Sequence, residues 1–410
     1  MKSQSVALLH PDLGIGGAER LAVDAALALQ SKGHRVKFFT NHHDPAHCFD
    51  ETSNGTIEVS VKYSWLPRSI CGRCRAACAF LRFALLAIHV AVWERDWEAV
   101  FCDQISICLP ALRWLGRSDL RLVFYCHFPD LLLTGRASAL KRLYRLPVDA
   151  LEGWAMRYAD VVLVNSHFTA SVVRKTFADC GELQVLYPTL KTEPFDADAD
   201  ERALYERKIL PTGIDGFFLS LNRYERKKNV ALALEAMAEL KLKLTEREWA
   251  RCHLVVAGGY DKLLAENVHH YKELLQLAEK LEVADHVTFL RSPSDELKVA
   301  LLKGCIAVLY TPSGEHFGIV PLEAMYCGRP AVAVDDGAGP TESVVHQETG
   351  LLVSASASEF SNAMRFLLQN EQRAARMGAN GRRRVLEKFA FEAFARQLDA
   401  ALLAATRPSS

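Results

Sequence analysis

Short runs of almost continuously apolar residues alternate with helical patterns along the chain, and this alternation limits the fold more than any other feature. Such runs are typical of strands that are covered on both faces. When these strands alternate with helices, right-handed βαβ units and a parallel sheet are expected. The chain is therefore predicted to be an α/β protein with two doubly wound parallel-sheet halves. The predicted strands lie at residues 6–9, 36–40, 99–102, 122–125, 161–164 and 185–186, and at 217–221, 254–257, 287–290, 306–309 and 331–334.

Polar residues follow the predicted strands at the point where each strand ends. His10 and Asp12 follow the first, Asp103 the third and His127 the fourth. In open parallel sheets, ligands bind outside the carboxyl ends of the strands. The sequence therefore predicts that the functional site of each half lies at this edge of its sheet.

A glycine-rich loop, Gly14 to Gly17, runs into a predicted helix that begins near Ala18. Without Cβ atoms, the backbone of such a loop can approach a phosphate or a sugar closely. The order GxGG differs from the dinucleotide fingerprint, and no acidic residue follows the second strand in a clear ribose-binding position. A glycine turn needed only for tightness explains the pattern equally well, so both interpretations stay open.

The stretch from Glu315 to Glu323 follows an apolar strand and precedes a predicted helix, with Pro321 in its first turn and Gly328 just past its end. A helix N-terminus offers backbone N–H groups and a partial positive charge, which suits a phosphate. Glu323 in the first turn is placed to accept from sugar hydroxyls, and Glu315 lies in the preceding loop. Acids in the first turn also stabilise any helix by roughly 0.3–1 kcal/mol, so these residues alone do not decide.

Basic residues follow the strand predicted at residues 217–221. Arg223 and Lys228 lie in the loop at its end, where two cations could bind a diphosphate. Each charge-assisted hydrogen bond would contribute about 1.5–3 kcal/mol. Arg226 and Lys227 are interpreted as a solvated basic turn. Further strand ends of this half, among them those before Gly258 and Arg291, would line one nucleotide pocket.

Composition restricts the partners and the compartment. The length of 410 residues suggests two or three domains, and 49 basic side chains balance 49 acidic ones. Because these charges balance, no overall electrostatic field attracts the chain to nucleic acid, and any bound anion must be held by a local basic cluster. Eleven cysteines, an odd number without framework spacing, indicate buried thiols in a reducing compartment.

Two patterns resemble metal sites only weakly. Cys71, Cys74 and Cys78 are closely spaced, but no second ligand pair follows at zinc spacing. Alternating aspartates at residues 196–200 belong to the acidic stretch 191–208, which is interpreted as the linker between the halves. Since they follow no strand and lie in a solvated charge run, no metal site is predicted.

Residues 76–92 form a long apolar segment that is interrupted by Arg82 and His89 and preceded by Arg68, Arg73 and Arg75. The segment is short for a spanning helix, and a central charge is costly there. A buried core helix and a helix lying in the membrane interface fit the sequence equally well. A true span is the least favoured of the three interpretations.

Taken together, these residues resemble a known family. Glu315 and Glu323, with seven residues between them, match the E-x7-E signature of retaining glycosyltransferases of the GT-B fold, family four. Arg223 and Lys228 match the diphosphate-binding pair of that family, and the glycine loop matches its N-terminal counterpart. The segments HPDLGIGGAERL, YCHFPDLLL, KRLYRLPVD, LNRYERKKN and TPSGEHFGIVPLEAMY resemble the eukaryotic alpha-1,3/1,6-mannosyltransferases of asparagine-linked glycosylation.

The resemblance spans nearly the whole chain and implies an architecture. It implies the GT-B fold, with two Rossmann-like doubly wound domains facing each other across a cleft. Residues 1–190 are predicted to form the acceptor-side domain and residues 211–388 the GDP-mannose-binding domain, joined by a linker at 191–210. Residues 389–410 are predicted to form a helix that packs back toward the N-terminal domain.

The same resemblance implies a reaction. GDP-mannose is the expected donor, and the expected acceptor is dolichyl-diphosphate-linked chitobiose with one mannose. Two mannoses are added, first α1,3 and then α1,6, on the cytosolic face of the endoplasmic reticulum membrane. Other early transferases of lipid-linked oligosaccharide assembly are expected partners, and no metal or other cofactor is expected. Retention of configuration implies front-face attack, in which the departing phosphate assists deprotonation.

Residue roles also come from the resemblance. Glu323 would bind the donor ribose, Glu315 would lie near the transferred sugar, and His127 would contact the donor sugar or the acceptor. The proposed catalytic residues are Glu315, His127, Arg223 and Lys228. The proposed donor-binding residues are Gly16, Gly17, Arg223, Lys228, Gly258, Arg291, Phe317, Gly318, Ile319 and Glu323.

Two alternatives stay open at this stage. The chain could be another GT-B transferase that uses a different nucleotide sugar or a soluble acceptor. It could also be a catalytically silent scaffold subunit of a glycosylation complex, although all five candidate polar side chains, Glu315, Glu323, Arg223, Lys228 and His127, are present.

Overall fold

The computed structural model describes residues 3–70, 74–133, 149–177, 180–196, 204, 209–214 and 216–404. The chain forms two compact units. The first comprises the described parts of Met1–Thr189 and Phe391–Ser410, and the second those of Leu190–Ala390.

The first unit contains a seven-stranded sheet in the order β3-β2-β1-β4-β5-β6-β7, with parallel pairing throughout. Its strands are β1 (Ser5–Leu13), β2 (Arg35–His43), β3 (Glu58–Val61), β4 (Ala99–Asp103), β5 (Arg121–Cys126), β6 (Val161–Val164) and β7 (Leu183–Val185). Its helices include α1 (Gly17–Ser31), α2 (Asp50–Ser53), α3 (Arg75–Trp93), α4 (Cys108–Leu115), α5 (Asp130–Leu133) and α6 (His167–Thr176).

The second unit contains a six-stranded sheet in the order β10-β9-β8-β11-β12-β13, again with parallel pairing. Its strands are β8 (Gly216–Leu221), β9 (Cys252–Gly258), β10 (Val287–Arg291), β11 (Ala307–Tyr310), β12 (Ala331–Val334) and β13 (Gly350–Val353). Its helices are α7 (Glu193–Asp196), α8 (Ala231–Lys241), α9 (Glu246–Trp249), α10 (Ala265–Lys280), α11 (Asp295–Gly304), α12 (Val320–Tyr326), α13 (Pro340–Ser343), α14 (Ala357–Gln369) and α15 (Glu371–Lys388), within the described range. The chain then returns to the first unit as α16 (Phe391–Ala404).

The strand order of each sheet reverses at one place. In the first unit the reversal lies between β1 and β4, and in the second it lies between β8 and β11. In doubly wound folds, the crevice beyond the carboxyl ends of the two strands at such a reversal binds the ligand. The topology therefore points to the loops after β1 and β4 in one unit and after β8 and β11 in the other.

Both faces of the first sheet are covered, as the continuous apolar runs predicted. Val6 and Leu8 of β1 belong to a buried cluster with residues of α1 and α16. Ala7 and Leu9, which point to the opposite face, belong to a cluster that includes Phe83 of α3. Because residues 6–10 of β1 are buried on both faces of the sheet, this part of the strand shows no alternation of apolar and polar residues.

The structure corrects several strand predictions. β1 continues past Pro11 to Leu13, so His10 and Asp12 lie inside the strand rather than after it. β7 ends at Val185, one residue before the predicted end, and β11 begins at Ala307. Strands β3 and β13 were not predicted. β3 is a short edge strand whose residues are half-buried or exposed, and β13 contributes only three apolar residues after a glycine.

The stretch interpreted as a linker begins as ordered structure. The helical turn α7 places Phe195 in a buried position against Tyr326, and Asp196 accepts a hydrogen bond of 2.7 Å from the Tyr326 hydroxyl. This part of the linker therefore packs within the second unit. Most of the predicted aspartate run lies outside the described residues.

The C-terminal helix α16 packs against α1. His34, which follows α1, accepts a hydrogen bond from the Gln4 backbone N–H through Nδ1. Its Nε2 therefore donates to Asp399, at 2.8 Å. Leu398 and Leu402 are buried beside this pair, so apolar packing and a buried polar contact both fix the helix on the first unit.

The long apolar segment forms helix α3, some of whose side chains are buried in the unit while others are exposed. Arg82 and Phe83 are buried, whereas Leu81 and Trp93 are 57% and 65% exposed. Arg82 reaches away from the helix and donates to the carbonyl of Asn41 at 3.1 Å, near the carboxyl end of β2. Within the described parts of the chain, α3 alone is long and apolar enough to cross a membrane by length and composition.

Candidate functional site

In the second unit, the loops after β8 and β11 meet through an ion pair. Lys228 Nζ lies 2.5 Å from Glu315 Oε1, and both side chains are partly buried. Thr311, directly after β11, donates to the Lys228 carbonyl at 2.8 Å and so fixes the lysine backbone. The two residues that the sequence placed in separate loops are therefore in direct contact at the reversal point of the sheet.

Arg223 has a different environment. Its side chain is 61% exposed and pairs with Glu225 at 2.8 Å. Glu225 is only 12% exposed and also pairs with Lys227 at 3.2 Å, whereas the Arg223 guanidinium lies largely in solvent, which screens its pairing. Arg223 and Lys228 both follow β8 in the chain.

Glu323, in the first turn of α12, is buried, and one of its two carboxylate oxygens has a hydrogen-bond partner. Its Oε1 lies 2.6 Å from Lys298 Nζ, a residue of α11. Its Oε2 is buried without a hydrogen-bond partner among the described residues. Burial raises the pKa of this carboxyl group, and the Lys298 ammonium opposes that rise. An unmade hydrogen bond of this kind costs about 1–3 kcal/mol, so Oε2 is a ready acceptor for a ligand hydroxyl.

The loop between the two glutamates is tightly packed. Gly318 has φ +81°, and a Cβ there would lie 2.9 Å from the Tyr310 hydroxyl oxygen. Only glycine adopts this conformation without strain at such a close approach. Burial raises the pKa of Tyr310 well above its ordinary value, and the Glu315 and Glu323 carboxylates raise it further. Tyr310 thus stays protonated beneath the loop.

Phe317 faces the protein, whereas the side chain of Ile319 is half-buried. Phe317 has its ring 5.8 Å from that of Phe389, so its proposed donor contact is limited to the backbone. The Ile319 carbonyl accepts from the Glu323 N–H at 3.1 Å and begins α12. Because α12 has only seven residues, its dipole contributes less to anion binding than the cations do.

A second loop, which follows β12, supports the glutamate loop. Asp336 accepts the Gly314 N–H at 2.7 Å, and the Gly339 N–H donates to the Glu315 carbonyl at 2.8 Å. These contacts fix the backbone on both sides of Glu315. The sequence predicted only that the strand ends of this half line one nucleotide pocket, whereas the structure gives this loop a positioning role.

Two other proposed donor-binding residues have packing contacts of their own. Gly258 ends β9 with φ +157°, and a Cβ there would clash with the Asn222 carbonyl oxygen. Arg291 at the end of β10 places its guanidinium over the rings of Tyr260 and Tyr271, at 5.1 and 5.3 Å. Glycine is thus required at residue 258 by close backbone packing, and Arg291 lies against the rings of Tyr260 and Tyr271.

In the first unit, three polar side chains meet at the reversal point. Asp103 at the end of β4 accepts from His10 Nδ1 at 2.9 Å, and His127 Nε2 lies 2.8 Å from its other oxygen. The His127 contact is close, but its N–H is not aligned for a linear hydrogen bond. His127 is partly exposed, whereas Asp103 and His10 are fully buried.

The glycine loop lies near the same cluster. A Cβ on Gly16 would meet the Glu19 carboxylate, and the Glu19 charge contributes to raising the pKa of His127. At Gly14 and Gly17 a Cβ would meet nothing within 4 Å. Packing within the described structure therefore does not require glycine at these two positions, and the space beside them is open to a ligand.

Sequence reasoning missed several site residues. Lys298 carried no signal, because a lysine within an ordinary helix resembles a solvated residue. Tyr310 was hidden as the last residue of an apolar strand. Glu152 accepts the Asp130 and Leu131 N–H groups at 2.8 and 3.2 Å and so fixes the loop after His127. Lys298 and Glu152 act through contacts with residues 25 and 22 positions away, which single-sequence patterns do not contain.

Comparison with characterised proteins identifies the family. The alpha-1,3/1,6-mannosyltransferase ALG2 of Homo sapiens is 49% identical over 399 residues, which cover 96% of this chain and 94% of that protein. The chain belongs to this mannosyltransferase family. The alpha-1,3/1,6-mannosyltransferase ALG2 of Dictyostelium discoideum is 42% identical and covers 97% of both chains. Membership confirms the predicted family and activity, and makes the chain an enzyme rather than a silent scaffold.

Domain families and solved structures agree with this membership. Residues 15–193 match glycosyltransferase family 4, and residues 203–384 match glycosyl transferases group 1. Sucrose-phosphate synthase from Thermosynechococcus elongatus superposes with a TM-score of 0.75 at 23% identity, covering 98% of this chain and all of that one. Anabaena HepE in complex with UDP and glucose superposes with a TM-score of 0.72 at 18% sequence identity, with the same coverage of both chains. Together with the two parallel sheets, these neighbours confirm the GT-B fold of this mannosyltransferase.

Proposed function

We propose that this mannosyltransferase transfers mannose from GDP-mannose to a dolichyl-diphosphate-linked oligosaccharide during assembly of the N-glycan precursor. It adds the α1,3-linked and then the α1,6-linked mannose to the chitobiose carrier that already holds one mannose. The observation that supports this donor site is the cluster of Lys228, Glu315 and Glu323 at the strand reversal of the second unit.

The diphosphate of the donor binds the cations after β8. Lys228 Nζ pairs with Glu315, and Arg223 pairs with Glu225. A diphosphate competes with both carboxylates for their partners. Once it binds Lys228, Glu315 is released to face the transferred sugar, so donor binding itself completes the site.

The ribose of the donor binds Glu323. Lys298 occupies Oε1, and the buried Oε2 has room for the hydrogen bond of a hydroxyl group. A carboxylate accepts from two vicinal hydroxyls without a proton of its own. The same contact orients the nucleotide so that its diphosphate reaches Lys228.

The cleavage step requires stabilisation of the charge that develops on the leaving GDP. Arg223 and Lys228 supply two positive charges, which is sufficient without a metal ion. His127 contacts the donor sugar or the acceptor, and the glycine loop with Gly16 and Gly17 leaves its backbone accessible to the substrate. Attack occurs from the same face as departure, with the leaving phosphate taking the acceptor proton.

Replacement of Glu323 tests the donor site. Glu323→Gln keeps the side-chain shape but weakens the bond to each ribose hydroxyl, so the KM for GDP-mannose should rise roughly 10- to 100-fold. Glu342→Gln, a partly buried glutamate of α13 in the same unit, is the matched control and should keep the wild-type KM. An unchanged KM in Glu323→Gln would remove the ribose contact from the proposal.

Helix α3 attaches the enzyme to the cytosolic face of the endoplasmic reticulum membrane. Its outer face presents Leu81 and Trp93, and Arg75 at its start is exposed. A helix with an apolar outer face and flanking arginines suits the interface between headgroups and acyl chains. Because Arg82 is buried and bonded within the sheet, a span that removed α3 from the unit would break that contact.

Vesicle sedimentation tests the attachment. The double substitution Leu81→Ser with Trp93→Ser should release the protein from vesicles of phosphatidylcholine and phosphatidylserine. Leu242→Ser removes a leucine of the second unit that is even more exposed, at 80%, and should leave binding unchanged. Equal sedimentation of the double variant and the wild type would exclude α3 as the attachment surface.

A further inference from the structure

The His10–Asp103–His127 cluster contains a buried carboxylate that depends on histidine for its charge balance. Asp103 is fully buried, and its oxygens face His10 Nδ1, His127 Nε2 and the Gln104 N–H. Among the described residues, no lysine or arginine forms an ion pair with it. A buried ionised carboxylate without a compensating cation is very costly, so a histidine has to carry the positive charge.

The carboxylate of Asp103 is ionised at neutral pH. Burial raises its pKa, but the charges of His127 and His10 and the hydrogen bond from His10 outweigh burial and lower it to about 2. His10 Nδ1 and the Gln104 N–H donate to it, and His127 Nε2 lies 2.8 Å away, which is consistent with a carboxylate that only accepts.

Geometry decides which histidine is cationic. His10 is 1% exposed, and its Nε2 is buried without a partner among the described residues, so a proton there would leave a donor unsatisfied. His10 therefore contributes one donor to the cluster, its Nδ1–H. His127 Nε2 is buried 2.8 Å from Asp103 while 24% of the His127 side chain is exposed, so the exposed part of the ring can reach a ligand.

The surroundings of His127 favour its charged form. Burial lowers the pKa of the imidazole, but Asp103 and then Glu19 on α1 raise it, and the net direction is upward. The Tyr125 ring on β5 lies 4.9 Å away and remains neutral because burial raises its pKa. Asn165, after β6, donates to the His127 carbonyl at 3.0 Å and fixes the backbone.

We propose that Asp103 is a positioning residue that presents His127 to the bound substrate as an imidazolium, with Nδ1–H directed at a substrate oxygen and His10 holding the opposite carboxylate oxygen. This inference rests on the proposed function, in which His127 contacts the donor sugar or the acceptor. It assigns a specific task to the edge formed by β1, β4 and β5, where the sheet reverses its order.

The test combines kinetics with a direct titration of His127. In Asp103→Asn the kcat should fall roughly 10- to 100-fold, because a charge-assisted contact is lost. The loss should grow with pH, since His127 then loses its proton at lower pH than in the wild type. Asp103→Glu retains the charge and should recover part of the activity and of the pH profile. Asp119 is an exposed aspartate that pairs with Arg117, and Asp119→Asn is the matched control. Its kcat and its pH profile should both match those of the wild type.

NMR titration of the histidine Cε1–H signal measures the protonation of His127 independently of turnover. The proposal requires its midpoint in the wild type to lie above the ordinary histidine value, and to fall in Asp103→Asn. A wild-type midpoint at or below the ordinary value would overturn the proposal even if Asp103→Asn fails to fold. A rate loss that is constant across pH in folded Asp103→Asn would also overturn it. If the wild type transfers no mannose from GDP-mannose yet the midpoints shift as stated, the proposed donor fails while the Asp103–His127 coupling stands.

Discussion

Replacement of Lys228 by methionine should separate its role in stability from its role in catalysis. The substitution keeps a long apolar stem but removes the ammonium that lies 2.5 Å from Glu315. With the two side chains 13% and 22% exposed, the pair is partly screened by solvent. Opposite charges at about 4 Å near a protein surface interact by roughly 4 kcal/mol before desolvation, and a charge-assisted hydrogen bond retains about 1.5–3 kcal/mol.

Stability is the first readout. Lys228→Met leaves the Glu315 carboxylate without its cation, so the free energy of unfolding should fall by about 1–3 kcal/mol. In the double variant Lys228→Met with Glu315→Gln, no unpaired charge remains, and most of that loss should be recovered. Urea denaturation of the four proteins of this cycle measures the coupling between the two residues.

Catalysis is the second readout and should not recover. Without the Lys228 ammonium, about 1.5–3 kcal/mol of stabilisation of the leaving diphosphate is lost, so kcat/KM should fall roughly 10- to 100-fold in both variants. Lys227→Met is the control: Lys227 is 64% exposed and pairs only with Glu225 in the described structure. Its stability should stay within about 0.5 kcal/mol of wild type, with an unchanged rate. A Lys228→Met enzyme with the wild-type kcat/KM would refute the diphosphate contact.

Three further predictions concern the groups around the two sites. Lys298→Met removes the cation that opposes the effect of burial on Glu323, so the pKa of Glu323 should rise further. Because more Glu323 is then protonated at acidic pH, the KM for GDP-mannose should increase most there, as a pH profile of KM would show. The pKa of Asp103 is depressed to about 2 from an ordinary 3.8, so the ionised side chain stabilises the fold by about 2 kcal/mol at neutral pH. This stabilisation is lost as the pH falls from 3.8 through about 2. The stability of Asp103→Asn, measured by acid unfolding, should therefore depend less on pH. Gly318→Ala forces a left-handed residue against Tyr310 and should cost about 1–2 kcal/mol in thermal unfolding, more than Gly314→Ala, where φ is +66° but no atom lies near the new Cβ.

The sequence predicted the fold because the strands that form both sheets are buried on two faces. Such strands are continuous apolar runs, and their polar ends mark the edge where the loops converge. β3 escaped prediction because an edge strand needs no such run, and its residues are half-buried or exposed. β1 was predicted too short because Pro11 interrupts the apolar pattern while the strand continues beside β2.

The sequence placed the candidate residues on the correct loops but not their partners. Glu315 and Lys228 are 87 positions apart, and their ion pair follows from the adjacency of β8 and β11 in the sheet. Asp103 and His127 meet because β4 and β5 are neighbours. Lys298 reaches Glu323 from a different helix. These contacts depend on strand order and helix packing, which a single sequence does not specify.

Transfer of mannose from GDP-mannose to a synthetic phytanyl-diphosphate chitobiose that bears one β-mannose measures donor, acceptor and stoichiometry in one assay. The assay is run in a chelator, beside Glu315→Ala, at a temperature at which both proteins are folded. We expect the wild type to add two α-linked mannoses without added metal and the variant to add none. A folded wild type that leaves this acceptor unchanged but transfers sugar from another nucleotide donor would refute the proposed function.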